Sequence, residues 1–141
     1  IYHLKRNEFI TLKSIGDKKF ELALTPKGQE LFGQYNFYTL KIPAQKRWDK
    51  KWRIIAFDIP EKYRTSRDTF RERLKSMGFF QFQKSFWIYP FDCEREIHYL
   101  CEHLGLHDYV FVFKGKFVKD RLLTKYFQRK KVLKKEHLRI K

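Results

Sequence analysis

Apolar and polar positions alternate along residues 9–24, FITLKSIGDKKFELAL, on both sides of Gly16-Asp17. Ile10 and Leu12 fall on one side, as do Phe20, Leu22 and Leu24, which is the period-two pattern of a β-hairpin. Thr25 followed by Pro26 predicts a helix start, with a hydroxyl at the N-cap and a proline in the first turn. Leu31, Phe32 and Tyr35 would form the buried side of that helix. Residues 36–51 hold Pro43 and four cations near Trp48, and read as a linker.

At Trp52 the pattern changes. Residues 52–59 make a near-continuous apolar run and read as a strand. Thr65 and Asp68 fit a capping box that opens a helix ending near Gly78. At about 100° per residue, Tyr63, Phe70, Leu74 and Met77 share one stripe, and Arg64, Arg71 and Lys75 share another. Residues 80–84 and Phe86–Tyr89 are strand-like, and Pro90 ends the second. Asp92, Glu94 and Glu96 suit a helix N-terminus, and Ile97, Leu100, Cys101 and Leu104 repeat at helical spacing. Residues 109–113 read as a final buried strand. The order strand, helix, strand, strand, helix, strand predicts an α+β, ferredoxin-like βαββαβ domain: one antiparallel sheet with both helices on one face.

Charge adds a second layer. The net charge of +16 is unevenly spread. Residues 1–51 carry 11 Lys+Arg against 5 Asp+Glu, residues 52–113 carry 9 against 9, and residues 114–141 carry 12 against 2. A neutral centre between cationic flanks is what a polyanion partner requires, although charge for solubility gives the same sign. Cys93 and Cys101 are the only cysteines. Eight positions apart on one helix, they are separated by roughly 12 Å, too far for a disulfide. The chain therefore reads as reduced and cytoplasmic. No apolar run approaches the ~20 residues that span a bilayer. The first residue, Ile1, points to a fragment or a trimmed product.

Two stretches resemble known families. Residues 52–115, through IIAFDIP, RTSRDTFRERLKSMGF and QFQKSFWIYP, with Gln83 to Ser85 at the matching place, resemble the CRISPR-associated protein 2 family. They equally resemble the central domain of PaaX-type transcriptional repressors, which shares that fold. Residues 1–36, ending in ALTPKGQELF, are similar to the back half of a winged-helix domain, with residues 1–9 as the end of a recognition helix. The combination implies a PaaX-like, DNA-binding regulator. The expected organisation is a partial winged helix at 1–41, a linker at 42–51, a ferredoxin-like domain at 52–116 and a basic C-terminal extension at 117–141. Within that extension, Leu122, Leu123, Tyr126, Phe127 and Leu133 lie among cations, in either an amphipathic helix or a tail that a partner orders.

Candidate chemistry follows. Lys13, Lys18 and Lys19 lie in or beside the wing turn, where such hairpins approach a phosphate backbone. Arg129, Lys130, Lys131, Lys134 and Lys135 form the densest cluster, and Arg64, Arg71 and Lys75 line the first helix. For each set the alternative is a solvated face. The resemblance implies that Asp58 meets its mate across a homodimer axis and holds Mg²⁺, which uses one or two carboxylates and water. The resulting metal-dependent endonuclease, or a DNA-holding subunit of CRISPR adaptation, is the alternative function, with Asp58 as the catalytic residue. The residues alone equally allow Asp58 to cap the loop or helix that follows, beside Lys62 or Arg64. The aromatic run FFQFQKSFWIYPF is suited either to stacking bases or to a core or dimer interface. Cys93, His98, Cys101, His103 and His107 crowd one segment, at a spacing unlike that of a zinc finger. The expected partner is double-stranded DNA, and no membrane is involved.

Overall fold

A computed structural model describes residues 8–139, apart from the side chains at 31–35. The recognition-helix end expected at 1–9 and the apolar side formed by Leu31, Phe32 and Tyr35 thus lie almost wholly outside the described residues. The chain divides into two compact units, Ile1–Thr39 and Leu40–Lys141.

In the first unit, strands β1 (Ile10–Gly16) and β2 (Lys19–Leu24) form an antiparallel hairpin. Ile10 faces Leu24, Leu12 faces Leu22 and Ser14 faces Phe20, so the alternation seen in sequence becomes one apolar face. Only Ile10 of that face is buried. Helix α1 (Pro26–Thr39) follows at once. Thr25 serves it twice: its Oγ1 accepts from the Gly28 amide at 3.0 Å and donates to the Glu8 carbonyl at 2.5 Å. Position 28 must be glycine for a steric reason, because a Cβ there would lie 1.9 Å from the Phe9 carbonyl oxygen.

The second unit holds a four-stranded sheet of β3 (Trp52–Phe57), β4 (Phe80–Gln83), β5 (Phe86–Tyr89) and β6 (Val110–Gly115) in the order β4-β5-β3-β6, antiparallel throughout. Helices α2 (Arg64–Ser76) and α3 (Glu94–Leu104) are the two crossovers, giving the α+β, ferredoxin-like arrangement expected from the pattern. Ile55 and Trp87 pair across β3 and β5 and are buried, and Phe57 meets Phe70 of α2 edge-on at 5.2 Å. Phe70, Leu74 and Met77, and then Ile97, Leu100 and Cys101, complete this layer at helical spacing. A left-handed Gly105 (φ 69°) ends α3.

Three expectations need correction. Thr65 and Asp68 do not form a capping box: Pro60 starts a 3₁₀ turn, Glu61–Tyr63, that runs straight into α2, so Thr65 already lies inside the helix. Tyr63 consequently falls off the buried stripe and is exposed, against the ring of Tyr109 at 5.6 Å. The last strand is not buried. β6 is an edge strand, and Phe111 and Phe113 are both more than half exposed. They pair with Ala56 and Ile54, on the face opposite to the one α2 covers.

The chain beyond the sheet is a packed helix, α4 (Arg121–Arg129). Phe127 is fully buried, its ring 5.8 Å from Trp52 and 5.6 Å from Tyr89, while Tyr126 meets Phe80 at 5.0 Å. Leu123, Leu133 and His137 are buried too. His137 joins two segments: one ring nitrogen contacts the Gln45 carbonyl at 2.7 Å, and Nδ1 accepts the Lys134 amide at 2.9 Å. Lys50 donates to the His137 carbonyl. Residues 40–51 are thus fastened to this unit.

Two substitutions test this packing. Phe127→Ala should lower stability by about 3–5 kcal/mol, the cost of emptying a buried aromatic site, read from urea denaturation. Gly28→Ala should cost about 1–3 kcal/mol by overpacking against Phe9, seen as earlier loss of hairpin and helix signal.

Candidate nucleic-acid interface

The cations fall into two groups. Four arginines of the neutral centre, Arg53, Arg67, Arg71 and Arg73, are held by acids or carbonyls. Arg53 holds Asp49 in a bidentate pair, 2.7 and 2.8 Å, and also donates to the carbonyls of Lys51 and Pro90. Arg67 pairs with Glu61 at 3.0 Å. Arg73 is buried and donates to the Leu40 carbonyl. Arg71 donates to the Lys84 carbonyl at 3.0 Å, approaches Asp68 at 3.5 Å and lies over the Phe57 ring. Of the helix stripe singled out in sequence, Arg71 is therefore a structural cation in the chain alone. Arg64 is exposed between Glu61 and Asp68, and Lys75 is exposed in the last turn.

Arg53, Arg67 and Arg73 escaped the sequence reading. A signal existed for Arg73, which occupies the i+3 place in the apolar series of Phe70, Leu74 and Met77. Arg53 carried none, since its partner Asp49 stood in a segment read as a linker.

The second group is different. Arg129, Lys130, Lys131, Lys134 and Lys135 are all exposed, and among the described residues none has a carboxylate within 4.0 Å. Lys130 lies over the Tyr126 ring instead. These five follow from the end of α4, which Phe127 and Leu133 anchor, so their backbone has a fixed base. Lys46, Arg47, Lys50 and Arg139 line a neighbouring cleft of about 600 Å³, which also holds Asp49, Asp120 and Glu136. In the first unit, Lys13 is opposite Glu21, and Lys18 and Lys19 are exposed at the hairpin tip. Lys18 is in the left-handed region, φ 58°.

Asp58 stands exposed where β3 ends, its amide donating to the Tyr109 carbonyl at 3.0 Å. Its carboxylate makes no hydrogen bond or ion pair among the described residues, so neither Lys62 nor Arg64 is its partner. No group of three ligand-type side chains includes it: the one such group among the described residues is His98, Glu102 and His107. One chain alone does not supply the donor set of a Mg²⁺ site at Asp58. Burial pushes the Cys93 thiol up to about 12, with Asp92 and Glu96 adding to the effect, and burial raises Cys101 to about 11. Both are inert thiols near neutrality. Of the run 79–91, Phe79, Trp87, Ile88, Tyr89 and Phe91 are buried in the core, and Phe82 stands out at 61% exposure.

The family model of the PaaX protein central Cas2-like domain matches residues 45–126. The chain belongs to this family. The match spans more than half of the chain and takes in Asp49, the whole βαββαβ sheet and α4 as far as Tyr126, so Trp52 lies inside the PaaX-type central domain and Phe127 one residue beyond the match. No curated protein matches the chain.

The Asp49–Arg53 pair gives a pH signature. Although partial burial works to raise it, Arg53, the Lys51 amide and Lys114 hold the Asp49 carboxyl below its ordinary 3.8. A carboxyl lowered in the folded state stabilises fully above its unfolded value, and that contribution is lost as pH falls through the folded one. The denaturation midpoint of Asp49→Asn should therefore depend less on pH than that of the wild type below about pH 4. The two slopes, measured in urea, decide it.

Proposed function

We propose that this chain is a PaaX-type transcriptional regulator that binds double-stranded DNA in the cytoplasm as a homodimer. The observation that carries the reading is the division of its cations. The arginines Arg53, Arg67, Arg71 and Arg73 of the neutral centre are paired with acids or carbonyls, whereas the five cations from Arg129 to Lys135 face solvent with no acidic partner among the described residues. An ordered row of unpaired cations contacts phosphates without first breaking internal ion pairs. Lys13, Lys18 and Lys19 form a second, separate set on the hairpin. Lys18 and Lys19 support it by their exposure at the turn of that hairpin.

The dimer rests on the open face of the sheet. Phe82, Phe111 and Phe113 are exposed on a sheet whose β6 edge has no strand beyond it. Such a surface is suited to burial against a second copy. The reduced, buried thiols suit the cytoplasm, and no described helix is long and apolar enough to cross a membrane.

Filter binding of labelled duplex DNA across a salt series tests the proposal. Five phosphate contacts give a slope of log K against log salt of about −4.5, and Lys134→Gln with Lys135→Gln should flatten it by about 1.8. A slope near zero would refute the phosphate model. The same DNA should stay intact with Mg²⁺. Cleavage that chelator stops and Asp58→Asn abolishes would instead establish the nuclease.

A further inference from the structure

A second cluster of chemistry lies apart from these cations. His98 and Glu102 are four residues apart on α3, hence on one helix face, and His107 begins the 3₁₀ turn that follows, His107–Tyr109. One ligand-type atom from each lies within 4.8 Å of the others, and all three side chains are exposed. The closest pair, His107 Nε2 and Glu102 Oε2, is 2.7 Å apart, and the rings of His98 and His107 are 4.8 Å apart. The backbone beneath is fixed. Left-handed Gly105 reverses the chain, the Leu106 amide donates to the Cys101 carbonyl at 3.0 Å, and the Leu106 side chain is fully buried.

An exposed ion pair between His107 and Glu102 accounts for two of these side chains and contributes little by itself. It does not use the ring nitrogens of His98, whose ring lies against that of His107. One cation shared by both rings and the carboxylate accounts for all three side chains at once. We propose that His98, Glu102 and His107 form a binding site for a transition-metal dication of the Zn²⁺ class.

The donor chemistry selects the metal. Two imidazole nitrogens and one carboxylate oxygen suit Zn²⁺ and its neighbours, while Mg²⁺ and Ca²⁺ prefer oxygen alone. Tetrahedral bonds of about 2.1 Å place ligand atoms roughly 3.4 Å apart, so the present spread closes by rotamer changes of exposed side chains. Three protein ligands leave a fourth position for water or another donor. The neighbouring thiols take no part, since Cys93 and Cys101 are buried. Bound metal fastens α3 to the turn that enters β6. That turn supplies the Tyr109 carbonyl accepting the Asp58 amide, so the clamp also steadies the exit of β3.

Calorimetric titration of the full chain, stripped with EDTA, tests the site with ZnCl₂ and, separately, MgCl₂. The expected result is saturable binding of a single Zn²⁺ per chain and no response to Mg²⁺. Loss of even an outer partner of a metal ligand weakens affinity about 10–100-fold, so His107→Ala and Glu102→Gln should each lose at least that much. Both positions are exposed, and circular dichroism verifies that the variants fold. His103→Ala, on the same helix but outside the cluster, should bind as the wild type does. Absent Zn²⁺ binding, unchanged affinity in His107→Ala, or equal loss in His103→Ala would each overturn the assignment.

Discussion

Trp52 joins the parts of the second unit. Its ring meets Trp48 at 4.9 Å and Phe127 at 5.8 Å, and its Nε1–H donates to Asp120 at 2.9 Å. It is wholly buried at the first position of the central strand. The segment entering the sheet, the sheet itself and the helix leaving it therefore converge on one indole, with its single polar atom satisfied. Without that junction α4 has no seat, and the cations after it become a tethered, unplaced tail. Ordered charge costs less entropy to engage than mobile charge.

The division of cations follows from desolvation. A buried or half-buried guanidinium must have acceptors, because an unpaired charge out of water costs several kcal/mol. Arg53 obeys this with a carboxylate and two carbonyls, Arg71 with a carbonyl and Asp68. The less exposed arginines of the centre are thus held internally, and the surplus of cations falls where water solvates it. Net charge alone does not separate these two populations; only the positions of the acceptors do.

Much of the architecture was legible because period is a local signal. Ile97, Leu100 and Cys101, or Ile10 opposite Leu24, declare their element without knowledge of the rest. What was not legible depends on neighbours far along the chain. Nothing in residues 109–113 says whether one strand or two will flank them, so an edge strand reads as a central one. Residues 42–51 look like a linker because their anchors, His137 for Gln45 and Lys50, stand some ninety positions away. The metal-ligand cluster was half legible: its histidines stood out, but Glu102 was one acid among many until helix and turn brought it to His107.

The sheet carries an unresolved tension that the C-terminal helix only half relieves. α4 brings Leu122 and Leu123 beside Phe80, Phe82 and Ile88, closing an apolar cavity of about 200 Å³ over the β4–β5 side of the open face. The β3–β6 side has no such cover, and Phe111 and Phe113 remain in water. Their strand adds an unpaired backbone edge to an apolar surface, the combination that invites association. Extending α4 to cover this side would remove the hazard, and would also carry the basic segment across the sheet. Left open, the β3–β6 side keeps Phe111 and Phe113 exposed. One short helix thus buries part of the sheet's apolar face and leads into the cations from Arg129 to Lys135, which stay in water.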